Sequence, residues 1–370
     1  MEKMFKRSVL GAAVALAAVS GSANAAIELA GEAVQLYGQA AGFMQWNNNT
    51  ASDKSVSTTI ESRIGFRGVV EFEDFGPDLL WQIEGGNANH GGFDPDKPWT
   101  HNDNGQLGAR DTYLGLNFDG VGSFKYGRQL VAAYNYVDWP HSNPGLGNVF
   151  DWNNDIGNID VNSGDLSASV GGTSFEDRAD NVLRFDSATW NGFNFQATLS
   201  GMAANTDQMI TSVAASYSQD MFSVHGGYYT QKGFGEGEEK GGDQSYYIVG
   251  GSFFIDSFTL TASMKHMEND AAKGKIDGAF IDNVDAEQTA YSATAQYVLD
   301  GKWVFKAGYA ATSKAKFAGV EVDGTQDKAV NARLGYLLPS TYLFLDSRNY
   351  KMNNSDDWDN NVLAGVEYYF

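Results

Sequence analysis

From residue 26 onward apolar side chains return at every second position in short runs, and no stretch repeats them at the helical spacing. In 193–200, Phe193, Phe195, Ala197 and Leu199 share one face, opposite Asn194, Gln196, Thr198 and Ser200. The run 258–265 behaves the same way. In 289–297, Tyr291, Ala293, Ala295 and Tyr297 oppose Ser292, Thr294 and Gln296. In 303–309, Trp303, Phe305, Ala307 and Tyr309 oppose Val304, Lys306 and Gly308. A period of two is the signature of strands with one oily and one wet face. The open question is which face meets a core and which meets solvent.

The first residues bear on that question. Lys3, Lys6 and Arg7 precede an apolar run over 9–19, and Ala23-Asn24-Ala25 follows. This is the layout of a secretory signal with its cleavage site, and the run is too short to span a bilayer as a helix. The expected organisation is a signal over 1–25 and one domain over 26–370. Without Lys3, Lys6, Arg7 and Glu2 the remaining chain has 22 bases and 45 acids, a formal charge of −23. That deficit speaks against nucleic acid as a partner, because such binding needs a basic footprint. The absence of cysteine excludes disulfide scaffolds, thiolate metal sites and a cysteine nucleophile. If an exported chain of this pattern enters a membrane, a closed β-barrel is the remaining way to satisfy its backbone in lipid. A soluble β-sandwich or β-helix is the alternative, with the apolar face turned to a core.

Turn chemistry sorts the connections into two kinds. Short ones at 74–78, 119–122, 190–192, 218–220, 256–257, 300–301 and 339–340 carry Gly, Asn, Asp, Ser or Pro, as hairpins require. Long polar stretches at 86–108, 231–244, 267–287 and 310–327 alternate with them. Sixteen strands are expected: 34–44, 60–72, 79–85, 110–118, 123–129, 181–189, 193–201, 210–217, 222–230, 245–253, 258–266, 288–297, 302–309, 328–337, 341–350 and 361–370. An even count with both ends on the short-turn side suits an up-and-down barrel, and that many strands enclose a lumen wide enough for water. Tyr217, Phe222, Tyr297, Trp303, Tyr336, Tyr342 and Tyr368 flank turns, as girdles at a membrane surface do.

The last strand sets Val362, Ala364, Val366, Tyr368 and Phe370 on one face. With this ending the sequence resembles the Gram-negative general porins, trimeric sixteen-stranded diffusion channels of the outer membrane. The resemblance implies an all-β, sixteen-stranded antiparallel transmembrane barrel with an inward-folded third loop. It further implies Phe370 as the tag read by the barrel-insertion machinery, a homotrimer in lipid and lipopolysaccharide, and small hydrophilic solutes and ions as cargo.

Function in such a barrel lies in what projects inward. Segment 62–68 alternates Arg63, Gly65 and Arg67 against Ile64, Phe66 and Gly68, and 121–129 ends in Arg128-Gln129. After them comes an unusually long connection, 130–180, and then Arg178 and Arg184. By resemblance Arg63, Arg128 and Arg178 form the basic wall of a constriction, with Arg184 nearby. The loop departs from the family turn, since Gly145 stands where the acid is expected. Asp138, Asp151 and Asp155 are the candidates for the acidic side. Charge on the lipid face is costly, so Arg63 and Arg128 are expected inside. Opposed rows of arginine and carboxylate across confined water make a field that favours polar solutes, and the net negative charge predicts weak cation selectivity. Acids in the outer loops binding divalent cations that bridge lipopolysaccharide are the competing use.

No catalytic constellation emerges, and no cofactor or metal is expected. The five histidines, at 90, 101, 141, 225 and 266, show no ligand spacing. The Asp-rich loop between His90 and His101 reads as solvated. Two other channel-level readings stay open. One is a sugar-specific channel using Tyr134, Tyr136, Trp139 and Trp152. The other is an adhesion or receptor barrel acting through its external loops.

Overall fold

The computed structural model describes residues 26–48, 54–86, 107–137, 158–160, 175, 178–200, 209–232, 242–276, 279–353 and 355–370. Sixteen staves make one antiparallel wall. They are β1 (Gln35–Asn48), β2 (Ser55–Ile60 and Arg63–Val70, one stave broken at Glu61 and Ser62), β3 (Asp78–Gly86), β4 (Thr112–Phe118), β5 (Gly122–Leu130) and β6 (Arg178–Ser187). There follow β7 (Phe193–Ser200), β8 (Ile210–Ser218), β9 (Phe222–Gln231), β10 (Gln244–Ile255), β11 (Phe258–Ile276) and β12 (Ala279–Leu299). The last four are β13 (Trp303–Thr312), β14 (Lys328–Leu338), β15 (Thr341–Lys351) and β16 (Asp359–Tyr369). β16 returns to β1 in register from Gln39↔Tyr369 to Asn48↔Asn360. Beyond it, Gly38 and Phe370 exchange backbone hydrogen bonds of 2.7 and 3.1 Å. The wall therefore has no open edge, as a sheet in lipid must not.

Tight turns close one end. Asn191 and Gly192 both have positive φ, as do Asp300 and Gly301, the geometry of type I′ hairpins that matches strand twist. Asp256 and Ser340 take positive φ at two of the other short turns. Cross-strand aromatic pairs ring this end. Phe118 and Phe124 lie 6.2 Å apart, Tyr217 and Phe222 6.0 Å, Phe258 and Tyr297 4.4 Å, and Trp303 and Tyr336 4.6 Å; along the last strand Tyr368 and Phe370 are 6.1 Å apart. Tyr342 does not belong to the ring: it is buried on the inward face of β15.

The oily face looks out. Leu114, Val213, Val249, Leu260, Phe305, Leu345 and Val362 are all exposed, whereas Ser212, Ser252, Ser263, Ser292, Asn331 and Asn361 on the alternate positions are buried. The soluble sandwich fails on the same observation, because Phe193 and Leu260 fill no core. Strand positions match the expectation with one clear exception. In the stretch expected as a loop, 267–287, the described residues 267–276 and 279–287 continue β11 and β12 as a paired ribbon, with Met267 opposite Gln288 and Asn269 opposite Ala286. Past the apolar band an outward residue no longer has to be oily, so the sequence loses its alternation while the ladder goes on. A small hairpin, Lys316–Phe317 with Val320–Glu321, pairs onto the flank of this ribbon through Ala286 and Glu287.

Candidate functional site

The inner surface has two unlike halves. On β13 to β16 and β1 to β6 it is charged. Arg63 and Arg67 share the inward parity of β2, on either side of Gly65, and Tyr37 lies over that glycine so closely that a Cβ there would sit 2.5 Å from the ring. The Tyr37 hydroxyl donates to Glu84 at 2.7 Å, and Arg110 Nε donates to the other oxygen of Glu84 at 2.5 Å. Arg67 stands 4.8 Å above the Tyr37 ring. Arg63 and Arg178 are the like charges acting on Arg110, so these three guanidinium groups form one cluster. Arg178 is held by Asp111 at 2.8 Å. Below them Asp186 takes Lys125 at 2.6 Å and Arg184 at 2.8 Å, and Arg184 also donates to Gln196.

The charged half continues across the seam. Arg333 makes a two-pronged pair with Asp346 at 2.6 and 2.7 Å, and Arg348 adds a bond to the same carboxylate at 2.9 Å. The Arg333 guanidinium lies 4.3 Å from the Phe344 ring centre. Planar cations laid on aromatic rings and forked to carboxylates are held still, which keeps the lumen from closing on itself.

The other half is covered. After β5 the chain turns inward: Val131, Ala132, Ala133 and Val137 are fully buried within one cluster with Tyr229, Tyr246, Ile248 and Met267. The Ala132 and Ala133 amides donate to Thr198 and Ser212, and Asn135 donates to Gln196 at 2.6 Å. A single helical turn, α1 (Tyr134–Val137), presents Tyr136 to His225, ring on ring at 4.5 Å. Phe175, near the end of this connection, packs edge-on against Tyr229 and Tyr246, with the Lys265 ammonium 5.1 Å from its ring. Both ends of the third connection are thus fastened to the inner face of β7 to β11.

Of the expected basic residues, Arg63, Arg178 and Arg184 face the lumen beside one another. Arg128 departs from the expectation. It shares the outward parity of Phe124 and Tyr126, both exposed, and is opposite Thr112 at the long-loop end of β5. Its guanidinium donates to the Ala109 carbonyl at 2.8 Å and to Asp180 at 2.9 Å, and Asp180 is 70% exposed. Gln129, on the inward parity of Lys125, is the buried residue beside it, and a register shift against β6 falls between Gly127 and Gln129. Tyr136 is buried against the wall and Tyr134 packs beside it. Asp138, Asp151, Asp155, Trp139 and Trp152 lie outside the described residues. Arg110, Glu84, Arg333, Asp346 and Arg348 were not anticipated. A charge at mid-strand on the alternate parity to oily neighbours marks the lumen, and that signal was available for Arg333, Asp346 and Arg348; Arg110 sits outside any strand and carries none.

A closed wall, oily outside and charged inside, with a connection folded against its inner face, is the geometry of a channel. The sequence matches the Gram-negative porin family over residues 12–367. The chain belongs to that family. Among curated relatives, a chitoporin of Vibrio furnissii is 31% identical over the whole length of both chains. A putative outer membrane protein of Escherichia coli is 31% identical over 38% of this chain and 82% of its own. Solved structures share the fold at low identity. An anion-selective porin from Comamonas acidovorans aligns with a TM-score of 0.67 at 17% identity, covering 91% of this chain and 99% of that one. OmpF of Salmonella typhi, solved with daunomycin, aligns at 0.64 and 16% identity, covering 91% and 97%. The chain is an outer-membrane porin channel.

Proposed function

We propose that this porin is a passive, water-filled diffusion channel for ions and small hydrophilic solutes, narrowed between the basic cluster of Arg63, Arg110 and Arg178 and the third connection. The observation that carries the reading is the asymmetry of the inner surface: the arginine cluster stands on one half, and the third connection is fastened to the other. That connection, residues 131–177, contains Asp138, Asp151, Asp155, Asp160, Asp165, Glu176 and Asp177 and not one Lys or Arg. Asp138, Asp151 and Asp155 are the proposed acidic side, which with the arginine cluster makes the transverse field that admits polar solutes. The net charge of −23 over 26–370 favours weak cation preference at the mouths. Phe370 belongs to the same reading as an insertion signal, and assembly is as a homotrimer in lipopolysaccharide-bearing membrane, in line with a neighbour solved as a trimer form.

A second reading is a channel for chitin-derived sugars, favoured by the full-length likeness to a chitoporin. Planar-bilayer recording separates the two. A general channel gives ohmic current, a reversal potential of the cation-preferring sign in a KCl gradient, and no block by N-acetylglucosamine oligomers. Saturable block by those oligomers, absent with cellulose oligomers of equal length, makes the sugar channel the right reading. An anion-preferring reversal potential overturns the selectivity.

A further inference from the structure

Beyond the apolar band, the outward face of the β11–β12 ribbon carries His266, Glu268 and Glu287. His266 and Glu268 are two residues apart on one strand and so share a face. Glu287 is directly opposite Glu268 in the ladder, and Thr289 is opposite His266. His266 Nε2 lies 3.3 Å from Glu268 Oε1 and 4.0 Å from Glu287 Oε2, and one donor atom from each residue falls within 4.8 Å of the other two. His266 Nδ1 is 2.8 Å from the Thr289 hydroxyl, which fixes the ring and, with Nδ1–H donating, leaves the Nε2 lone pair aimed at the carboxylates. The ring leans on Tyr247 at 5.2 Å. Two further groups reach the cluster: Lys316 Nζ, 2.7 Å from Glu287 Oε1, and the Ser245 hydroxyl, 3.5 Å from Glu268 Oε2.

A second observation is independent of those distances. Like charges directly opposite on neighbouring strands destabilise a sheet. Lys316 answers only one of the two carboxylates, and neither the lumen nor the lipid face calls for acids at this place.

We propose that His266, Glu268 and Glu287 bind a divalent first-row transition ion, with zinc as its representative. One imidazole and two carboxylates are a zinc-type donor set, whereas calcium and magnesium take oxygen ligands throughout. Ligand atoms about 2.1 Å from a tetrahedral ion are roughly 3.4 Å from each other, so the present spacings close onto an ion with small side-chain rotations. Water completes the shell. Bound there, the ion pins the two strands of the ribbon together, and Lys316 competes with it for Glu287.

Calorimetric titration of the full-length protein, folded in detergent, with zinc chloride and separately with calcium chloride tests this. One zinc per chain is expected, with calcium far weaker. His266→Gln and Glu268→Gln are each expected to weaken zinc binding about tenfold or more. Lys316→Gln keeps all three ligands and is expected to tighten it. Melting without metal verifies that each variant folds, and Lys316→Gln remains informative even if the ligand variants do not. Absence of saturable zinc binding, an unchanged affinity in His266→Gln, calcium binding as tight as zinc, or no tightening in Lys316→Gln each overturns the site.

Discussion

The two halves of the inner surface obey one alternation and fill it differently. On β13 to β16 and β1 to β6, inward positions hold Arg333, Asp346, Arg348, Arg63, Arg67 and Glu84, held in place by ion pairs and by aromatic rings beneath them. On β9 to β11 they hold Tyr229, Tyr246, Ile248 and Met267, which are fully buried because the third connection lies over them. Inward apolar residues in a barrel whose outer face is already oily show where the lumen is occupied by protein rather than water. The described residues of that connection, 131–137 and Phe175, therefore take up lumen space on the covered half.

The sharpest break falls on the charged half. Asp346 is completely buried and is the shared acceptor of Arg333 and Arg348. Asp346→Ala leaves two cations without their carboxylate and is expected to lower stability by about 3–5 kcal/mol, read as loss of heat resistance of the folded barrel on a detergent gel. On the covered half, Gly227 faces Ala133 so closely that a Cβ would lie 2.9 Å from that methyl. Gly227→Val is expected to cost about 1–3 kcal/mol through overpacking, to lift residues 131–137 from the wall and to raise single-channel conductance. If conductance stays unchanged in a folded variant, the third connection is not what narrows the passage. Replacing Arg63, Arg110 and Arg178 together by Gln is expected to leave conductance of similar size and to move the reversal potential toward stronger cation preference. Arg128→Gln is the smallest effect. Its pair with Asp180 is exposed and contributes at most about 1 kcal/mol, and selectivity is expected to stay as it is. A shift in selectivity equal to that of Arg63→Gln would put Arg128 inside after all.

The barrel was legible because lipid imposes one rule on every stave: outward residues are oily, so the period survives in each strand and all sixteen could be read. Where lipid ends, legibility ends with it. Residues 267–276 and 279–287 are strand, yet outward positions from His266 on include Glu268 and Glu287, and no pattern distinguishes this stretch from a loop. For the same reason the proposed metal ligands escaped notice, since Glu287 meets His266 across the ribbon and 21 positions away in sequence. Arg63 was readable from its strict alternation with Ile64 and Phe66. The outward side of Arg128 was readable by the same alternation from Phe124 and Tyr126; the cost of charge in lipid pointed the other way, but Arg128 stands at the long-loop end of β5, where the exposed Asp180 receives it. Arg110 enters the cluster from a connection, where periodicity offers nothing.

A chain without cysteine allows the central claim to be tested one residue at a time. Arg63→Cys and Ile64→Cys, placed singly in the folded channel, are exposed to a charged, membrane-impermeant thiol reagent while current is recorded in a planar bilayer. Rapid modification with a fall in current at position 63, and neither at position 64, is the outcome expected of a hydrated lumen lined by alternate residues. Equal protection at 63 and 64, or modification of 64 alone, contradicts it.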